Sequence, residues 1–397
     1  MKVMAVLVAL ACLASVYADI RPRSAVGCLA AGCRSSRQPL RVAPSRRSLE
    51  LAPALRLRGG RSVGAAAAHG PADASKPSSL KVFVAFAGWY LMSIVYSVLN
   101  KQVLQVWKFP FTFSAVQLLV GALWICTLWL RVPGTGTSLR EPPSVSGDDV
   151  KQLMPVATFL ALGHALSTVA PAYGTVAFTN VVKTLEPLFT CALSAVFLGQ
   201  IFSPLVYLSL VPVIAGVILA STNEVSFSAI SLYSGLASNL MFACRALTAK
   251  RVMGSPLGRS LSPNNMYGLL TLLSLALLLP VGLAIEGGQL AAGTAATVAE
   301  LGGVWPFVKL LLMTGVSHYV YNECAFVALS AVHPVTHAVA NTVKRIAVII
   351  VTVVYFRDKF TAVGAAGSAI AILGVFLYSL AKARDGRVAA AKAIKAR

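Results

Sequence analysis

Carboxylates are scarce in this chain: 13 Asp and Glu stand against 34 Lys and Arg in 397 residues. No pair of acids is set for general acid–base work, and there is no HExxH, no phosphate-binding loop and no Ser/His/Asp set with a recognisable elbow. Soluble enzyme chemistry therefore has little to stand on. Seven cysteines form no framework either. Cys12, Cys28 and Cys33 lie near the N-terminus, while Cys126, Cys191, Cys244 and Cys324 are isolated in apolar segments, where they read as small core residues. That spacing implies no metal, and the sequence calls for no cofactor. Long polar stretches are missing as well: charged residues make up only 12% of the chain. From about residue 80 to residue 382 only short interruptions separate apolar runs, which leaves no room for a soluble domain.

What is present suits lipid as a solvent. The chain is 57% hydrophobic, with a mean hydropathy of +0.76, and its apolar runs have the roughly 17–25 residues that a bilayer crossing needs. The formal net charge of +21 does not indicate nucleic acid, because the basic residues form no solvated stripe with interleaved aromatics. They fall into an Arg-rich leader, loop ends, a basic tail over residues 383–397, and a few charges inside apolar segments. The first three groups are addressing and interfacial charge. The last group calls for a functional explanation.

The leader reads in two parts. Residues 1–18 have Lys2, the apolar run Val3 to Leu13 and small residues up to Ala18, as in a signal peptide. Residues 19–75 set ten arginines from Arg21 to Arg61 among Ser, Ala and Pro with few acids, a transit-peptide composition. A signal peptide followed by a transit peptide suits a plastid wrapped in extra membranes. A secretory-pathway protein with a basic arm is the alternative.

Gly, Pro and charge punctuate the apolar region into about ten helices, near 80–101, 109–131, 151–171, 174–198, 202–221, 228–250, 264–285, 304–331, 334–356 and 360–382. A shift of 158 residues lays Phe202 on Phe360, Gly216 on Gly374 and Ser221 on Ser379, and a shift of 149 lays Lys101 on Lys250. The expectation is an all-α integral membrane protein of two five-helix repeats, residues 80–221 and 228–382. An odd helix count per repeat inverts the second half relative to the first, as in many secondary transporters.

Lys183 lies inside the fourth apolar segment, and Lys344-Arg345 lies in the middle of the ninth, which occupies the corresponding place in the second half. A cation at bilayer depth costs at least about 2.5–3.5 kcal/mol, so it should face a polar cavity and have a partner. Glu186, one turn from Lys183, can offset part of this charge. The alternative is a Lys183–Glu186 pair, with Lys344 and Arg345 reaching towards lipid headgroups. A shared cavity would want a dianion such as phosphate, for which Arg345 supplies a planar fork and the lysines point charges. His164, Ser167, Arg245 and Tyr321 are candidate orienting groups nearby; His333, beside Pro334, reads as structural.

At these residues the sequence resembles the plastid phosphate translocator family of the drug/metabolite transporter superfamily. The blocks that carry the likeness are Gly163-His164, Ala177 to Lys183 with Glu186-Pro187, Ser238-Asn239 to Arg245 and Lys250, His318 to Asn322, and Pro334 to Arg345. The resemblance implies strict counter-exchange with inorganic phosphate and a phosphate clamp of Lys183, Lys344 and Arg345. It also implies that His164, Ser167, Arg245 and Tyr321 surround the carbon portion of a small phosphorylated compound. The His164 and Ser167 pair looks like the triose-phosphate exchangers, and His337 looks unlike the hexose-phosphate pattern. Asn180, Ala340 and Glu323 depart from the family's usual His, Gly and Gln. The expected partners are thus phosphate, a triose phosphate or 3-phosphoglycerate, and the lipid bilayer of a plastid envelope. Phosphoenolpyruvate or hexose phosphate is the alternative cargo, and a nucleotide-sugar transporter the alternative protein.

Overall fold

The computed structural model describes residues 79–130, 138–253, 257, 261–331, 334–359 and 361–395. The two leader segments and His333 lie outside the described residues. Within the described residues ten helical rods form the fold. The first five are α1 (Ser79–Val106), α2 (Pro110–Trp129), α3 (Gly147–Tyr173), α4 (Val176–Leu198) and α5 (Pro204–Thr222). The second five are α6 (Ala229–Met253), α7 (Pro263–Glu300), α8 (Val304–Ala331), α9 (Pro334–Phe356) and α10 (Ala362–Lys395).

Local sequence explains the ends of these rods. Ser146 and Asp149 form a capping box at the start of α3, and Pro110, Pro204 and Pro263 sit in first turns, where a missing N–H costs nothing. Seven rods, α2, α3, α4, α5, α7, α9 and α10, are long and apolar enough to cross a membrane. The other three, α1, α6 and α8, have 28, 25 and 28 residues but carry Lys101, Arg245 and the His318–Glu323 stretch.

One sequence expectation needs correction. The seventh helix does not stop at residue 285 but runs through Gly287 and Gly288 to Glu300, 38 residues in all. Glu286 is not a terminator: its carboxylate accepts from the backbone N–H groups of Phe111 and Thr112 at 3.0 and 2.7 Å and so caps α2. The extension braces the α1–α2 turn, with Trp107 Nε1 donating to Thr294 Oγ1 at 3.1 Å and Thr297 Oγ1 donating to Val106 O at 3.0 Å. Helix α10 continues to Lys395, into the basic tail.

The helices pack in a self-consistent pattern. Helix α5 lies against α10, α2 against α7 and α4 against α9, while α3 packs on α6 as α8 packs on α1. Exchanging α1–α5 with α6–α10 leaves these pairings unchanged. The α5–α10 seam is built from small residues: a Cβ on Gly216 would meet the Ala371 backbone nitrogen at 2.3 Å, and one on Gly367 the Ala220 nitrogen at 2.6 Å. Such close approach is how helices gain packing energy in lipid. Gly216→Leu is therefore expected to destabilise the bundle by about 1–3 kcal/mol or more, because only backbone is there to yield. The thermal unfolding midpoint of purified protein checks this, and an unchanged midpoint would contradict it.

Candidate functional site

Pro187 shapes the centre of α4. It cannot donate an N–H to the preceding turn, and the helix breaks there into Val176–Val182 and Glu186–Leu198, joined by a 3-10 turn over Lys183–Leu185. The Glu186 N–H bonds Lys183 O, and Asn239 of α6 donates its Nδ2 to Val182 O at 2.9 Å. Lys183 thus projects from an irregular turn in mid-span, the arrangement by which broken helices form ion sites in membranes.

Arg345 on α9 meets this turn. Its Nη2 lies 3.1 Å from Glu186 Oε2, while Nη1 is buried with no hydrogen-bond partner among the described residues. Lys344 lies with its Nζ 4.6 Å from the centre of the Trp89 ring and 5.9 Å from that of Tyr321. Lys183 interacts electrostatically with Arg345 and Glu186, and Lys344 with Arg345, Lys183 and Glu186. Glu186 therefore pairs with Arg345 rather than with Lys183, and Lys344 lies against aromatic rings inside the bundle. This arrangement runs against the lipid-facing alternative for the two α9 cations. Tyr90 donates to Ala340 O at 2.5 Å and ties α1 to the start of α9.

The remaining residues divide unevenly. His164 is buried and stacks on His318 of α8 with centroids 4.4 Å apart, and its Nε2 has no hydrogen-bond partner among the described residues. His164 and His318 both feel the charge of Lys183. His318 continues to Tyr96 and Tyr321, at 5.3 and 5.6 Å between centroids. Arg245 lies over Phe242 at 5.4 Å and reaches the cluster electrostatically through Tyr321. Ser167 turns its hydroxyl back to His164 O at 3.0 Å. Its link to the cluster is the helix turn it shares with His164. Helix α9 is described at His337, but that side chain lies outside the described residues.

Four residues at the site escaped the sequence reading: Trp89, Tyr96, His318 as a stacking partner, and Asn239 as a donor to the broken turn. Single aromatics in apolar helices carry no distinguishing pattern. The Glu186-Pro187 dipeptide was the one available signal, since Pro inside a span predicts freed carbonyls and a donor to meet them.

The cluster has a definite charge. Three cations and one carboxylate converge from α4 and α9, leaving two positive charges, and among the described residues no carboxylate pairs with Lys183 or Lys344. A membrane bundle with a net cationic centre is suited to bind and pass an anion, as a membrane carrier does. The chain belongs to the Triose-phosphate Transporter family, which it matches over residues 80–379.

Similar proteins include glucose-6-phosphate/phosphate translocator 1, chloroplastic, of Arabidopsis thaliana, 36% identical, with 80% of this chain and 79% of that protein covered. Phosphoenolpyruvate/phosphate translocator 3, chloroplastic, of Oryza sativa subsp. japonica is 38% identical, covering 74% of this chain and 72% of that protein. The triose phosphate/phosphate translocator, chloroplastic, of Flaveria pringlei is 35% identical, covering 75% and 71%.

Proposed function

We propose that this protein exchanges a triose phosphate or 3-phosphoglycerate for inorganic phosphate across a plastid envelope membrane by alternating access. The observation that carries the reading is the convergence of Lys183, Lys344 and Arg345 on one centre. Net of Glu186, their charge of two positive units is equal and opposite to that of a phosphate dianion. Arg345 Nη1 and His164 Nε2, both buried without partners among the described residues, are groups that a bound substrate can satisfy. Leaving such groups unmet costs about 1–3 kcal/mol each.

In this reading Lys183, Lys344 and Arg345 hold the phosphoryl group shared by all substrates. His164, Ser167, Arg245 and Tyr321 meet the carbon portion, with His318 spanning the two ends. Residues 80–221 and 228–382 act as inverted halves that rock about the site, a reading supported by the exchange-symmetric helix packing. Plastid localisation rests on the Arg-rich leader composition and on relatives named as chloroplastic.

Relatives named for hexose phosphate, phosphoenolpyruvate and triose phosphate have similar identities, so the triose assignment rests on His164 and Ser167. Proteoliposomes loaded with phosphate and offered each of these compounds test it: triose phosphate and 3-phosphoglycerate should exchange fastest. Preference for glucose 6-phosphate or phosphoenolpyruvate would overturn the assignment. His164→Asn and Ser167→Ala are expected to change the ranking of substrates by about tenfold, the scale of one hydrogen bond, with a smaller effect on phosphate–phosphate exchange. Equal losses for all substrates would mean that both residues only hold α3 in place.

A further inference from the structure

Lys101, five residues before the end of α1, does not face the central site. Its Nζ donates to the carbonyls of Pro171 at 2.7 Å and Gly174 at 2.8 Å, at the end of α3. The last carbonyls of a helix lack partners within it and carry its negative pole, so a lysine from another helix is a fitting clasp. The two residues that join α3 to α4, Gly174 and Thr175, are both extended. The Thr175 hydroxyl accepts from Phe178 N–H at 3.1 Å to cap α4 and donates to Glu224 at 3.2 Å.

Asp358, after α9, completes the group. Arg357 turns the chain with a φ of 54°, a left-handed conformation that favours glycine, and Asp358 N–H bonds back to Val353 O at 3.2 Å. Burial pushes the Asp358 carboxyl up from its usual range, and the charge of Lys101 opposes that shift. Its Oδ2 is buried without a hydrogen-bond partner among the described residues. Lys101 from α1, Glu224 from the α5–α6 link and Asp358 from the α9–α10 link interact electrostatically at this end, where Lys108, Arg357 and Lys359 on the neighbouring links add further positive charge.

We propose that Lys101 is a latch that holds the α3–α4 hairpin shut on the face of the bundle where α1 ends, and that releasing it is a step of transport. The hairpin carries His164 and Ser167 on one arm and Lys183 on the other, so moving it away from α1 would open the site to that face. The repeat in the sequence lays Lys101 on Lys250 of α6. The proposal rests on the alternating-access reading, and its test uses no substrate, so that it fails separately from the exchange assignment.

The test uses the full chain in lipid nanodiscs and a small water-soluble maleimide. Thr179→Cys, in the first turn of α4 and 3% exposed, reports opening between the latch and Lys183. Native Cys191, 1% exposed in the α4–α5–α10 core, reports general loosening. Adding Lys101→Met should speed labelling at position 179 by about tenfold or more, because two hydrogen bonds from a charged group are lost. Lys101→Arg should restore it to within about twofold of the parent, with Cys191 protected throughout. Unchanged labelling in Lys101→Met would overturn the proposal, as would exposure of Cys191 in step with position 179. Absence of phosphate exchange by the parent protein would instead overturn the function on which the latch depends.

Discussion

Vesicles preloaded with phosphate are expected to take up external phosphate at least about 100-fold faster than empty vesicles. The expectation follows from the charge of the site. Glu186 neutralises one of three cations through Arg345, and an empty site therefore keeps two positive charges. Water can solvate them while the site is open to either face, but closing the bundle around them removes that water. Each unpaired charge then costs several kcal/mol even after relaxation. A barrier higher by about 1.4 kcal/mol already slows a step tenfold. A phosphate dianion cancels the excess, so the loaded carrier crosses and the empty one stalls, and each inward passage requires an outward one. Uptake into empty vesicles at a rate comparable to exchange would refute this charge gating.

Removing any one clamp residue is expected to depress transport of every substrate, phosphate included, by about two orders of magnitude or more. Breaking a buried charge pair from one side typically costs about 3–5 kcal/mol, and in the proposed clamp Lys183→Ala and Lys344→Ala would each break the pair made with the bound phosphoryl group. Arg345→Lys keeps the charge but should also be impaired. One arm of the guanidinium is held by Glu186 and the other is buried and unmet among the described residues, and a lysine point charge cannot serve both directions at once. Initial exchange rates for phosphate, triose phosphate and 3-phosphoglycerate measure the loss. A Lys183→Ala protein with unchanged phosphate exchange would remove Lys183 from the clamp.

Much of the architecture was legible because bilayer physics leaves few options. Apolar length and punctuation marked ten helices, and the cost of a buried cation drew the eye to Lys183, Lys344 and Arg345. The boundary misplaced near residue 285 has a physical cause: it falls just before Glu286, Gly287 and Gly288, yet a tertiary cap on α2 makes Glu286 useful within a continuing helix. Partner choice was the harder matter. Glu186 is one turn from Lys183 in sequence, but the break at Pro187 and the approach of α9 give it to Arg345. The aromatic bed of Trp89, Tyr96, His318 and Tyr321 joins helices α1 and α8, and nothing local in either helix encodes that meeting.

Direct binding of phosphate to the purified full-length protein tests the central claim most closely, because it isolates the clamp from every step of transport. Titration should show one saturable site from which 3-phosphoglycerate displaces phosphate. Lys344→Ala, folded by the criterion of an unchanged thermal midpoint, should bind at least about 100-fold more weakly. Phosphate affinity that is the same in Lys344→Ala as in the parent protein would contradict the account.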